Sequence, residues 1–491
     1  MERKFVSQNV LLGLFLLFYS LFFFQKIDLT HADLGQHLKS GEIFWKQGFP
    51  VSTNYYSYTA PDYPAVNHRW AAGAIYHAIW RISGFEGLSI FQSLLNVSVL
   101  FFFLLAARNK SDPLSAFFFA MLAVPLITLR TEIRPEFFSY FFLSVYFFLL
   151  SRLRPHEHTR ILWVLPLMQV LWVNLHFFFF LGPFLILLFW LENRSKFLLK
   201  IFLTNAAACL INPFHIHGAL SFVSILAGQR LGILAENQST LKSGGPCDWY
   251  FQWMLATESI LILAALLKKK TKRHMPSILM TLCMGAVAWK YVRNYPLFGL
   301  FFIPVSAGIA SDLIHELPGN TKERARKTML ATLSMVVAAS LLIPGHLFSP
   351  WKGSLGIGLL PENERAAILF KKFRLEGPIY NNYDIGGYLI FELFPKERVF
   401  TDNRPEAYPP SFFPEIYTPI SAGEGGWKAM DKKYGFNVIF SRYDSTEAPK
   451  NLFLARRLKD PEWALFYVDD RILILLKRSA KNAELIRKMN L

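Results

Sequence analysis

Acidic and imidazole side chains crowd a short stretch near the start of this 491-residue chain: Asp28, His31, Asp33 and His37. A carboxylate that leaves bulk water partly behind gains basicity, so Asp33 or Asp28 could act as a general base toward a hydroxyl. Asp33 and His37 are four positions apart and share a face if the segment is helical. With His31 they also make three donors of a kind that holds a divalent metal, although a hydrogen-bond network more often uses such residues. The structural alternative for the aspartates is capping, because Thr30 and Asp33 stand at the start of a periodic stretch. Further along come Asn67, His68, Arg69 and Trp70, then Arg130, Glu132, Arg134 and Glu136.

Two later groups add cations and amides: Asn174 with His176, and Lys290, Arg293 and Asn294. Arginine offers a planar fork to a phosphate, and lysine a point charge. Arg134, Arg293 and Lys290 are therefore candidates to hold a phosphate head group. Their structural alternative is snorkelling, in which long cations at helix ends reach toward lipid head groups. Asn174 and His176 interrupt an apolar stretch and are expected to line a cavity, together with His31, His37, His68, Arg69 and Glu132. His215 and His217 read as an ordinary loop pair.

Apolar segments must position these residues. The chain is 53% hydrophobic and 16% aromatic, with 48 Phe, and its apolar residues run in long blocks through the first 345 or so positions. Soluble chains average about 45–50% apolar residues without such blocks. The runs predict roughly eleven spans, at 5–25, 85–107, 114–129, 136–151, 160–175, 177–191, 198–212, 253–268, 275–290, 296–312 and 328–346. Basic clusters recur in every second connection: Arg3 and Lys4; Arg108 and Lys110; Arg152, Arg154 and Arg160; Arg194, Lys196 and Lys200; Lys268 to Arg273; Lys322 to Lys327. That alternation is the positive-inside pattern and puts the N-terminus in the cytoplasm. It also accounts for the net charge of +17 without nucleic acid. The chemistry-bearing residues then fall in the opposite connections, on the outer side. An odd number of spans places the C-terminus there too.

The chain thus divides into a membrane domain, 1–347, and a non-cytoplasmic domain, 348–491. The first outer loop, about 25–84, is too long for a simple connector. Its stretch 33–48 reads as an amphipathic helix lying in the interface, with Leu34, Leu38, Phe44 and Trp45 on one side and Gln36, Lys39 and Glu42 elsewhere. A second helix is expected over 71–82, and a short one over 219–227 within an outer segment at 213–251. The terminal domain predicts a helix at 362–374 and strands at 398–400, 437–440, 465–468 and 472–476, the last two joined by a tight hairpin. Alternating helix and strand indicate a small α/β sheet domain.

Cys209, Cys247 and Cys283 lack the spacing of a disulfide framework or a thiolate zinc site, and only Cys247 is expected to reach the outer face. The chain has no G-x-x-x-x-G-K-[ST], H-E-x-x-H or G-x-S-x-G motif. That argues against nucleotide-driven phosphate chemistry, metalloproteases and serine hydrolases.

Several short stretches together resemble the GT-C superfamily of polytopic glycosyltransferases. Within it, the chain is similar to a large, sparsely characterised bacterial group. The matching stretches are HADLGQH at 31–37, YSYT at 56–59, VNHRW at 66–70, RPE at 134–136, WVNLH at 172–176, YDIGGYL at 383–389 and VFTDNR at 399–404. The resemblance implies a lipid-linked sugar donor, specifically a polyprenyl-phosphate sugar, and a bacterial inner membrane location with the terminal domain periplasmic or extracellular. It implies an acid from the first outer loop, Asp33 or Asp28, as the base that activates the acceptor. Arg134, Lys290 or Arg293 would meet the donor phosphate. Neither the acceptor nor any particular cofactor is implied, and a divalent metal stays open. Asp402 and Arg404 read either as an acceptor contact or as an internal pair, with the pair favoured. The competing functions are a non-catalytic scaffold of the same build and a transporter of lipid-linked saccharide. Polar residues that stop near one face argue against the transporter.

Overall fold

The computed structural model describes residues 2–31, 33–153, 159–227, 238–245, 247–350, 353–443 and 452–491. Arg154 of the third basic cluster lies outside the described residues, as do 228–237 and 246 of the second outer segment.

Every expected span falls on a helix. They run Glu2–Ser20, Trp70–Arg108, Pro113–Ile127, Glu136–Ser151, Val164–Leu175, Leu181–Asn193, Lys196–Ala208, Asp248–Leu267, Met275–Lys290, Tyr295–His315 and Gly319–Leu342. Four segments are long and apolar enough to cross a membrane unaided: Trp70–Arg108, Asp248–Leu267, Val292–His315 and Gly319–Leu342. Others are short. Pro113–Ile127 has 15 residues, about 22 Å of helix against a hydrocarbon core of about 30 Å. Trp70–Arg108 is two helices in series. Ser83 (φ −139°) and Gly84 (φ 63°, ψ −161°) break it, and a backbone like that of Gly84 needs the absence of a Cβ. The break falls between the expected helix at 71–82 and the expected span from 85.

The chain packs as two compact units that a single cut in the sequence does not separate. The first comprises Met1–Lys26, Ser89–Thr131 and Pro135–Ile357. Its Phe-rich helices interlock through ring contacts such as Phe103 with Phe301 (5.2 Å) and Phe147 with Phe301 (5.3 Å). Along Tyr295–His315 nearly every residue through Ser311 is buried. Polar groups are not confined to helix ends here, contrary to expectation. The Tyr146 hydroxyl meets Asn205 Oδ1 at 3.0 Å and Gln169 Oε1 at 3.1 Å. Glu258, midway along Asp248–Leu267, is 1% exposed and neither carboxyl oxygen has a hydrogen-bond partner among the described residues. Polar side chains within the helices therefore do not count against a transporter. Cys283 lies within the apolar helix Met275–Lys290, and Cys247 immediately precedes helix Asp248–Leu267 and is buried with its first turn.

The second unit comprises Ile27–Leu88, Glu132–Arg134 and Gly358–Leu491. Most of the stretch expected as the first outer loop therefore packs with the terminal residues as one body. Helix Leu34–Gln47 lies at its centre. A Cβ on Gly41 would come within 2.1 Å of the Gly73 carbonyl oxygen, and one on Gly35 within 2.4 Å of that of Gly387. Glycines thus bring this helix into backbone contact with Trp70–Arg108 on one side and Gly386–Leu393 on the other. Gln36, His37 and Ser40 are buried with Leu34 and Leu38. Gln36 thus turns inward where the glycines allow close packing, whereas Lys39 and Glu42 stay partly exposed and pair at 2.8 Å. Trp45, near its end, is 60% exposed.

Four strands form the sheet among the described residues: β1 (Ile379–Asn381), β2 (Val438–Arg442), β3 (Trp463–Val468) and β4 (Ile472–Lys477), in the order β1-β2-β4-β3. The pair β1 and β2 is parallel; the other two pairs are antiparallel, and β3 and β4 form the expected hairpin. Residues 398–400 are not a strand. They contribute one bridge, Ser57 with Val399, and the Ser57 and Thr59 hydroxyls both donate to the Phe400 carbonyl at 3.1 Å. The stretches YSYT and VFTDNR are therefore neighbours in space.

Candidate active site

Asp33 occupies the position before helix Leu34–Gln47, yet its side chain makes no cap bond. It turns into the second unit, where it is 7% exposed. Its Oδ2 accepts from His37 Nε2 at 3.2 Å, one helical turn on, and from Arg69 Nη1 at 3.0 Å. Oδ1 is buried and has no hydrogen-bond partner among the described residues. Arg69 spends its other terminal nitrogen on Glu406 Oε1, also at 3.0 Å. Burial pushes the Asp33 carboxyl up, but His37 and Arg69 outweigh it and hold the group well below the usual carboxylate range. The expected gain in basicity is thus reversed by two close donors. Burial keeps His37 below its ordinary value, with Asp33 opposing that shift.

Asp28 is coordinated differently. Its Oδ1 accepts from the Thr30 amide at 3.0 Å, the Thr30 hydroxyl at 2.6 Å and Asn363 Nδ2 at 3.4 Å. Its Oδ2 takes Arg471, with Arg442 4.0 Å away. Burial raises this carboxyl too, and the Thr30 bonds and Arg471 bring it below its ordinary value. Both oxygens are occupied. The two sequence candidates are therefore separated by geometry: Asp28 has no open oxygen, and Asp33 has one.

Around this pair, His31 lies 4.0 Å from Glu132, and Glu132 3.8 Å from Arg134. Burial lowers the pKa of His31, with Arg442 adding to the effect. The trio His31, Asp33 and His37 is not assembled as ligands, because His31 faces Glu132 while His37 faces Asp33. Among the described residues, no three His, Cys, Asp or Glu side chains are gathered as a metal site. Burial, helped by Arg69, brings the His68 imidazole down to about 4. A small cleft is lined by Gln36, Asn67, Arg69, Arg404 and Glu406, together with Val51, Ala65, Val66 and Ala407.

Asp402 and Arg404 form the internal pair. Arg404 donates from Nε to Oδ1 at 2.9 Å and from Nη2 to Oδ2 at 2.8 Å, and Tyr408 donates to Oδ2 at 3.0 Å. The guanidinium lies 4.7 Å above the Tyr56 ring and bonds Asn54 Oδ1 at 3.0 Å.

The remaining candidates belong to the first unit. Asn174 Nδ2 donates to the Val170 and Ile211 carbonyls at 2.7 and 3.0 Å. His176 Nδ1 pairs with the Ser139 hydroxyl at 2.9 Å, which also accepts from Trp172 Nε1 at 2.7 Å. Lys290 ends helix Met275–Lys290 with its ammonium 5.1 Å over the Tyr291 ring. Arg293 lies in the turn Val292–Asn294 that follows. Arg130 and Glu136 pair at 3.3 Å.

Glu406 is the residue the sequence reading misses. It stands 337 positions from Arg69, and its only local signal is the alternation of charge at Asp402, Arg404 and Glu406. Asn363, Arg442 and Arg471 around Asp28 are equally remote.

No family model matches the chain, and no curated protein matches it in sequence. Solved structures do match in fold. The apo oligosaccharyltransferase of Archaeoglobus fulgidus superposes with a TM-score of 0.61 at 12% identity, over 89% of this chain and 69% of that one. ArnT from Cupriavidus metallidurans bound to undecaprenyl phosphate gives 0.53 at 11% identity, over 96% and 97% of the two chains. The mycobacterial arabinofuranosyltransferase AftD gives 0.51 at 14% identity, over 96% of this chain and 41% of that one. At 11–14% identity these matches establish the fold alone: this chain has a GT-C fold, shared with these three solved structures.

Proposed function

We propose that the protein is a membrane glycosyltransferase that moves a sugar from a polyprenyl-phosphate donor to an acceptor at the outer face of a bacterial inner membrane. The observation that carries this reading is the buried, unpartnered Oδ1 of Asp33, on the first outer loop of a GT-C fold. A carboxylate oxygen removed from water without a partner is costly, and a substrate hydroxyl would satisfy it. One structural neighbour holds undecaprenyl phosphate, which supports that donor class.

In the proposed step, the acceptor oxygen attacks the anomeric carbon and its proton passes to Asp33 Oδ1. The bond from that carbon to the phosphate oxygen breaks, and its electron pair leaves with the lipid phosphate. Attack opposite the leaving group inverts the anomeric configuration. Arg134, Arg293 and Lys290 are assigned to the phosphate charge. Asp33 stays ionised at neutral pH, so it takes the proton late, as the new bond forms. The membrane body is assigned to 1–347, with eleven spans and a cytoplasmic N-terminus, and the periplasmic or extracellular domain to 348–491. Packing of Ile27–Leu88 with Gly358–Leu491 in one unit supports a shared side for the outer loop and that domain.

The test is release of undecaprenyl phosphate by the purified protein from a panel of undecaprenyl-phosphate-linked hexoses, with envelope extract as acceptor. Turnover that disappears in Asp33→Asn supports the reading; no turnover of any donor by the native chain refutes it. A non-catalytic scaffold is favoured by one observation, the firm ion pairing that keeps Asp33 a weak base. That reading expects the same blank result with normal folding.

A further inference from the structure

The Arg69 fork is divided between two carboxylates that come from distant parts of the chain, Asp33 and Glu406. An arginine facing one carboxylate alone prefers to present two parallel N–H groups, one to each oxygen. Here only Nη1 reaches Asp33, and it reaches Oδ2, the oxygen His37 also holds. Nη2 is engaged by Glu406 Oε1 at 3.0 Å. The result is an uneven carboxylate: among the described residues, both donors are on Oδ2 and none is on the buried Oδ1.

We infer that Glu406 is a positioning residue for Asp33: by occupying one arm of Arg69 it prevents a two-pronged grip and keeps Oδ1 open to a proton donor. The inference deepens the transferase reading, because the open oxygen is the one assigned to the acceptor hydroxyl. It gives the terminal residues a direct part in the chemistry, through a charge-assisted bond between a first-loop arginine and a glutamate more than three hundred positions away. Glu406 is itself ionised, since Arg69 and then His68 outweigh the effect of burial on its carboxyl. Arg404, bound to Asp402 and Asn54, does not compete for Asp33.

Glu406→Ala frees Nη2, and Arg69 is expected to rotate onto both Asp33 oxygens. An experimental structure of that variant should show Nη2 within hydrogen-bond distance of Oδ1. In the hexose panel its kcat should fall about 100-fold, the scale of a misplaced catalytic group, with KM little changed. Glu406→Asp should recover part of the loss. In an Arg69→Lys background, where no fork exists, Glu406→Ala should add little. A variant structure in which Arg69 still meets Oδ2 alone overturns the inference, as does an equal kcat loss in the lysine background. If Glu406→Ala does not fold, Glu406→Leu fills similar space, offers Nη2 no acceptor and is read the same way. A native chain inactive on every donor would defeat the transferase reading alone, because the variant structure still decides the position of Arg69.

Discussion

Arg69 meets Asp33 through one nitrogen and one oxygen, Nη1 on Oδ2 at 3.0 Å. That single contact neutralises the carboxylate while leaving half of it uncovered. It also ties the site to Glu406 and so to the terminal part of the chain.

The two aspartates are expected to part company on substitution. Asp33→Asn removes the open acceptor and should lower transfer by about 10²–10⁴-fold, the usual range for a lost general base. Asp28→Asn weakens the hold on Arg471 and should lower stability by about 1–3 kcal/mol while transfer persists. Release of undecaprenyl phosphate and thermal melting, measured on both variants, separate these outcomes.

Arg69→Ala leaves Asp33 and Glu406 facing each other without their shared cation. Asp33 is buried while Arg69 and Glu406 are only partly so, and removing their cation should cost about 1–3 kcal/mol and lower the melting temperature. Adding Asp33→Asn to that variant should restore part of the loss, because one orphaned charge is gone. A double variant no more stable than the single would argue against the bridge.

Steric closeness makes Gly41 a sensitive position. Its added Cβ would meet the Gly73 carbonyl oxygen at 2.1 Å, and backbone cannot swing aside. Gly41→Ala should destabilise by about 1–3 kcal/mol or more. Gly13→Ala, where the Cβ meets nothing within 4 Å, should leave the melting temperature unchanged or raised.

Acidification should destabilise the second unit through His68. Its imidazole titrates near 4 when folded and near 6.5 when unfolded, so between these values the unfolded chain binds the extra proton. Stability therefore rises with pH across that window and is lost as pH falls through it, by about 3 kcal/mol at the acid end. Melting curves from pH 7 to pH 4 should show this slope, and it should flatten in His68→Gln.

Glu258 is expected to be a stability liability. A buried carboxyl with neither oxygen partnered among the described residues loses hydration without compensation. Glu258→Leu should raise the melting temperature. A lower one would reveal a partner or a bound cation at this place.

Much of the frame was legible in the chain itself. Long apolar runs leave few choices to a backbone that must satisfy its own hydrogen bonds in lipid, and all eleven expected spans are helices. The hairpin β3–β4 was visible because alternation and a polar turn are local signals. Strand β1 was not, because three residues carry no periodicity. The burial of Gln36, His37 and Ser40 on helix Leu34–Gln47 was not legible, since a hydrophobicity pattern cannot tell that glycines at 35 and 41 bring two other helices into contact.

At the candidate site the division is similar. Residue types alone singled out Asp28 and Asp33, His37 and Arg69, because carboxylates and guanidinium groups beside apolar segments are costly wherever they lie. Which aspartate keeps a free oxygen was decided by partners far along the chain: Arg471 and Asn363 for Asp28, and Arg69, anchored by Glu406, for Asp33. Sequence fixes the chemistry a side chain can offer. Its basicity and openness depend on charges and donors within a few ångströms, and only folding brings those together.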